Sequence, residues 1–156
     1  MVKEYKNFNI SRTDKKNIIL IGNFDGLHVG HQKLFKLAKI YSKKFKLKIG
    51  VLTFDPLPVM FFNKKLSNYR IINNYQKKLL FYKAGVDFLI TKKFDKKFSK
   101  ISSLQFIEKI IVKKISPKFI FVSDNFKFGF KRIGNVKQLK LKENIFGYKI
   151  IKPLPL

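Results

Sequence analysis

The chain contains no cysteine and no tryptophan, and only two histidines in 156 residues. Without cysteine there are no disulfides and no thiolate metal sites, and two imidazoles make a structural zinc centre improbable. Acidic residues are scarce too, 9 Asp and Glu against 35 Lys and Arg, for a formal charge of +26. No apolar run approaches the roughly 20 residues that span a bilayer. The polar stretch from Met1 to Lys16 lacks the apolar core of a signal peptide. The expected setting is therefore soluble and cytoplasmic, with no membrane partner. The length suits one compact domain.

So large a positive charge suggests nucleic acid or another polyanion. The excess is nearly all lysine, is spread along every segment, and accompanies abundant Ile, Phe, Asn and Tyr. Those are the residues of A/T-rich codons. We read the excess as base bias on solvated faces rather than as a nucleic-acid surface.

Apolar runs rich in β-branched and aromatic residues alternate with stretches of helical spacing, the pattern of βαβ units. Strands are expected at Asn17 to Phe24, Lys48 to Phe54, Val86 to Thr91, Phe119 to Val122 and Gly147 to Ile151. Between them, Val29 to Lys44 reads as a helix with an apolar stripe of Leu34, Leu37, Ala38 and Tyr41. Asn74 to Ala84 reads as another, capped by Asn73 or Asn74 and closed by Gly85. Ser102 and Gln105 make a capping box for a helix to about Ile115, and a short helix is expected near Asn135 to Asn144. The implied fold is α/β, a Rossmann-like open parallel sheet of about five strands with helices on both faces. Polar clusters at Gly22 to His31, Thr53 to Pro58 and Ser123 to Gly134 each follow a strand. All three thus gather beyond the sheet's C-terminal edge, where open α/β sheets bind ligands.

The first cluster holds both histidines. His28 and His31 stand three apart at the start of a helix, so both rings would face whatever sits over its first turn. Free N–H groups and the helix dipole favour an anion there. Gly22, Gly26 and Gly30 allow close backbone approach, while Asn23 and Asp25 offer polar side chains. The cluster has no cysteine or serine nucleophile, so it suits positioning and charge stabilisation in a phosphoryl displacement. Two other readings stand beside this one: chance surface histidines, and a two-histidine metal site, although no third ligand is evident nearby. In the loop from Asn125 to Gly129, Phe126 and Phe128 could equally be core residues.

Taken together, these segments resemble the adenylyltransferase (FAD synthetase) domain of the bacterial bifunctional riboflavin kinase/FAD synthetases, within the His-x-Gly-His nucleotidylyltransferase superfamily. Gly22 to His31 reads GNFDGLHVGH against the family's GNFDGVHxGH. Thr53 to Pro58 reads TFDPLP against TFEPHP, with Leu57 in place of the usual histidine. Asp124 to Gly129 and Gly134 to Val136 read DNFKFG and GNV, with Ser123 where a glycine is usual, and Lys83 to Asp87 looks like the turn into the third strand. The resemblance implies transfer of AMP from Mg2+-bound ATP to FMN, giving FAD and pyrophosphate. His28 and His31 would serve the α-phosphate. Gly22, Asn23, Phe24, Asp25, Gly26 and Gly30 would shape the nucleotide pocket, and Asn125, Phe126, Phe128 and Arg132 would lie around flavin and nucleotide. The chain stops near Pro153, where the family continues into a Ser-Ser-Thr-x-Ile-Arg segment and the kinase barrel. A single domain without kinase activity is therefore expected, and another polypeptide could supply the segment. The alternatives are a domain that binds nucleotide or flavin with little activity alone, and a sister transferase with another phosphorylated acceptor.

Overall fold

The computed structural model describes residues 2–24, 29–66 and 73–153. Strands β1 (Lys3–Tyr5), β2 (Ile18–Ile21), β3 (Ile49–Asp55), β4 (Phe88–Lys93) and β5 (Phe119–Phe121) belong to one sheet. A short ribbon, β6 (Lys127–Phe128) with β7 (Gly134–Asn135), stands apart, and β8 (Lys149–Ile151) completes the main sheet. Its six strands run in the order β1-β4-β3-β2-β5-β8, every pairing parallel. Apart from β1 on the outer edge, this is the 3-2-1-4-5 order of a Rossmann sheet.

The helices are α1 (Val29–Phe45), α2 (Pro58–Phe62), α3 (Asn74–Lys83), α4 (Lys96–Ser99), α5 (Ser103–Gln105), α6 (Val136–Leu141) and α7 (Glu143–Phe146). Directly after α5 the chain widens into a π-helix, Phe106–Ile115. Among the described residues no helix is long and apolar enough to cross a membrane.

The strand sequence Ile-Ile-Leu-Ile explains the two-sided core. Alternation sends Ile18 and Leu20 to the face covered by Leu34, Phe35 and Ala38 of α1 and Phe81 of α3. Ile19 and Ile21 face the π-helix residues Ile107, Ile110 and Ile111 instead. All four strand residues are buried, as a parallel sheet covered on both faces requires.

The five expected strands are all present, with helices on both faces. Three features differ. β1 reads Lys-Glu-Tyr and has no apolar run; it exists because its backbone completes the edge of β4, with Lys3 N–H donating to the Asp87 carbonyl at 3.2 Å. The expected loop from Ser123 to Ile133 contains β6, which pairs with β7 through only two residue pairs, too short a run for periodicity to reveal. The helix ending at Ile115 starts at the expected Ser102–Gln105 capping box but closes i→i+5 bonds, as in Ser116 N–H to Ile111 C=O at 2.7 Å.

Candidate active site

The chain steps from β2 outward to β3 and β4, then returns across β2 to β5 and β8. The strand order therefore reverses between β2 and β5, and the crevice beyond their C-terminal ends is where such sheets hold ligands.

On the β2 side the strand ends at Ile21, and Gly22 N–H donates to the Leu52 carbonyl at 3.1 Å. Phe24 then takes a left-handed φ of 51° and turns its ring into the core. A Cβ on Gly22 would lie 3.1 Å from that ring, so glycine gives the ring room to fold back. Edge-on contacts join Phe24 to Phe35 at 5.4 Å and to His31, in the first turn of α1, at 5.0 Å. Phe24 is thus the support on which His31 stands, not an exposed pocket wall. Asn23 is exposed, and its carbonyl accepts from the Thr53 hydroxyl at 3.2 Å. Gly22, Asn23 and Phe24 lie beside His31, with Gly30 in the same first turn of α1. Asp25, Gly26 and His28 lie outside the described residues.

The β5 side carries the loop from Ser123. Its hydroxyl donates to Asn125 Oδ1 at 2.8 Å, and Phe126 N–H donates to the Ser123 carbonyl at 3.2 Å. Phe126 stacks on Phe128 at 5.4 Å, and Phe128 packs on Phe106 of the π-helix at 5.2 Å. Phe128 is 6% exposed, so its ring is a floor beneath Phe126 and belongs to the core. Gly129, at φ 78°, lies so close to Ser103 that a Cβ would come within 2.6 Å of its backbone. Together with Phe130 N–H donating to the Ile101 carbonyl at 2.7 Å, this anchors the ribbon to the chain before α5. Asn125 and Arg132 are exposed.

Sequence reasoning gave no role to the lysines lining the adjoining groove. Although it marked the Thr53 to Pro58 cluster beneath the first loop, it did not name the partners Lys77 and Glu4. The groove, of about 540 Å³, is lined by Asp124, Lys127, Asn135, Lys137, Lys140 and Lys152. The Lys152–Asp124 ion pair at 3.2 Å joins the ends of β8 and β5. In a lysine-rich chain no pattern marks these four. Under the first loop, Thr53 accepts from Lys77 of α3 at 3.4 Å, and Asp55 accepts from Asn74 at 3.1 Å. Glu4 closes the outer side of this polar group, bonded to Thr91 at 3.0 Å and paired with Lys78 at 3.3 Å. Burial alone would raise the Glu4 carboxyl; bonds from Thr91, Lys6 and Lys78 hold it below the ordinary range instead. Among the described residues no three His, Cys, Asp or Glu side chains gather as a metal site.

Strand order defines an α/β protein of Rossmann type, with residues 22–24 and the start of α1, which carries His31, following the strand at its topological switch point. A family model for FAD synthetase matches residues 10–154, and the chain belongs to that family. It is 36% identical over 148 residues to a bifunctional riboflavin kinase/FMN adenylyltransferase of Buchnera aphidicola, covering 95% of this chain and 47% of that protein. It is 31% identical over 143 residues to the Escherichia coli K12 protein of the same description, covering 91% and 46%. The chain thus spans about half the length of the curated relatives it matches. A crystal structure from Streptococcus pneumoniae described as a macrolide-efflux protein superposes with a TM-score of 0.84 at 25% identity, over all of this chain and 52% of that one. A pantoate-beta-alanine ligase from Francisella tularensis shares the fold, with a TM-score of 0.59 at 16% identity, over 97% and 66%.

Proposed function

We propose that this chain is an FMN adenylyltransferase, moving AMP from ATP to FMN to give FAD and pyrophosphate. One observation carries the reading. In a chain matched to the FAD synthetase model over residues 10–154, residues 22–24 and Ser123 follow β2 and β5, the neighbouring strands between which the strand order reverses.

An oxygen of the FMN phosphate attacks the α-phosphorus of ATP. The bond from that phosphorus to the bridging oxygen of the β-phosphate breaks, and pyrophosphate leaves with its electron pair. A phosphate monoester has a second pKa near 6 and is largely dianionic at neutral pH, so the nucleophile needs no activating side chain. That suits a site with no cysteine or serine in its first loop. What the site must supply is in-line geometry and donors aimed at the charge developing on the α-phosphate. His31 supplies a donor over the first turn of α1, where free N–H groups already favour phosphate. In this reading His28 is its partner, and Gly22, Asn23, Phe24, Asp25, Gly26 and Gly30 form the nucleotide pocket. Phe24 acts there through its backbone and as the support of His31. Asn125, Phe126 and Arg132 flank the flavin, with Phe128 holding Phe126 from below. Magnesium enters as part of the ATP substrate, held chiefly by phosphate oxygens and water, as this ion usually is.

The test is to incubate the purified chain with ATP, magnesium and FMN and to follow FAD and pyrophosphate. Both products are expected, and His31→Ala should lower kcat by ~10²–10³, the effect of losing one transition-state donor. No FAD at high enzyme concentration would overturn the assignment. FAD formation slower than turnover with pantetheine phosphate or nicotinamide mononucleotide would transfer it to a sister enzyme.

A further inference from the structure

Lys77 is the only buried lysine among the described residues, 8% exposed. Taking an ammonium out of water is costly, and the surface of this chain offers lysines no shortage of solvated positions. Its burial has a consequence for the site. Lys77 Nζ donates to Thr53 Oγ1 at 3.4 Å, and the Thr53 hydroxyl, itself 2% exposed, donates onward to the Asn23 carbonyl at 3.2 Å. With Lys77 beside its oxygen, the hydroxyl has its proton directed to Asn23, and the cation polarises the bond. The Asn23 carbonyl belongs to the peptide that enters Phe24, whose backbone sits at φ 51° and whose ring supports His31 at 5.0 Å. α3 is held in place for this by Asn74 donating to Asp55 at 3.1 Å, at the end of the strand that carries Thr53.

We infer that Lys77, acting through Thr53, is a positioning residue that fixes the Asn23–Phe24 turn and thereby the orientation of the His31 imidazole. It touches neither substrate nor reacting atoms. Its effect on turnover rests on the adenylyltransferase reading; its effect on His31 does not.

Lys77→Met keeps the apolar stem and removes the cation, while Thr53→Val keeps the shape and removes the hydroxyl. Two readouts separate the two levels. The first is the His31 Cε1–H signal by NMR, assigned by its disappearance in His31→Gln. The second is the kcat and KM of FAD formation. Both variants should move the His31 signal and lower kcat by ~10–100-fold, as small misplacements of a catalytic group do, with KM for FMN within about 2-fold. The double variant should be no worse than the poorer single one, because both cut one relay. A general loss of stability leaves the signal of the remaining folded protein where it was. If Lys77→Met does not fold, Thr53→Val alone decides. An unmoved His31 signal in the folded variants would overturn the inference whatever the activity, as would kcat losses that add in the double variant. A moved signal in a chain that makes no FAD would uphold the relay and sink the functional reading instead.

Discussion

Asp14 shows how a single side chain far from the crevice holds the opposite end of the sheet. It is 4% exposed in a 3₁₀ turn, accepts from the Tyr5 hydroxyl, and pairs with Lys48 at 3.0 Å and Lys3 at 3.5 Å. Lys48 immediately precedes β3 and Lys3 opens β1, so the carboxylate ties strand beginnings together. Burial alone would raise its pKa; the bonds from Tyr5 and Lys48 and the charge of Lys3 outweigh that and hold it below the ordinary value. A depressed carboxylate stabilises the fold above its unfolded pKa, about 3.9, and the gain fades as pH falls through the lower folded value. Asp14→Asn should therefore cost ~1–3 kcal/mol by urea unfolding at pH 7, the penalty for leaving buried partners unsatisfied. Near pH 3 the gap to the unaltered chain should narrow. Equal gaps at both pH values would show that charge plays no part. At this scale the sequence was least legible. Phe24 stands in a motif assigned to the nucleotide pocket and Phe128 in one left open between flavin contact and core, and both rings are buried. Gly50 is mid-strand because a Cβ there would come within 2.2 Å of the Phe88 ring. Burial depends on partners distant in the chain, and no local pattern carries that.

Elements were legible wherever local chemistry dictates them. The apolar stripe of α1, the Ser102–Gln105 box and the cap of α3 with Gly85 behind it all rest on neighbours within a few residues. β1 and the β6–β7 ribbon were not legible, since both are too short for periodicity and owe their existence to a distant or briefly paired partner. The π-helix was legible as helix but not as π, because its buried set of Phe106, Ile107, Ile110, Ile111 and Ile115 also satisfies ordinary helical spacing. α3 matters most for the site, since it carries Lys77. Its start is fixed by reciprocal bonds, Asn73 accepting from Gln76 N–H at 2.8 Å and Gln76 accepting from Asn73 N–H at 3.0 Å. Asn73→Ala should cost about 1 kcal/mol of unfolding free energy by urea titration, as loss of an N-cap does. Amide exchange should quicken in the first turn of α3 and stay unchanged in α1. Uniform quickening in both helices would place the loss in global stability rather than in the cap.

For the whole molecule, a parallel sheet covered by helices on both faces was readable because alternating strand and helix patterns leave few topologies open. What remains is the charge. Nine acids cannot neutralise 35 bases, and several of them, such as Glu4 and Asp14, already hold lysines close by. The surplus is spread over the molecule: β1, α1, α3, α4, the π-helix and α6 all carry lysine. A folded chain of this length has a radius of gyration of about 15 Å. At 0.01 M salt the Debye length is about 30 Å, so every lysine repels every other; at 0.1 M it is about 10 Å and the repulsion becomes local. Exposed ion pairs contribute only about 0–1 kcal/mol each, so screening them costs less than relieving the collective repulsion gains. The urea midpoint should therefore rise as NaCl increases from about 0.01 M to about 0.1 M. A falling midpoint would show that the Asp14 and Glu4 clusters outweigh the net charge. Random-sequence duplex DNA adds a second reading of the same surplus. If the lysines are solvated faces and not a recognition surface, binding should be detectable at the lower salt and fall steeply with log[salt]. It should be gone near physiological ionic strength, whereas a complex that persists there would mark a dedicated nucleic-acid surface.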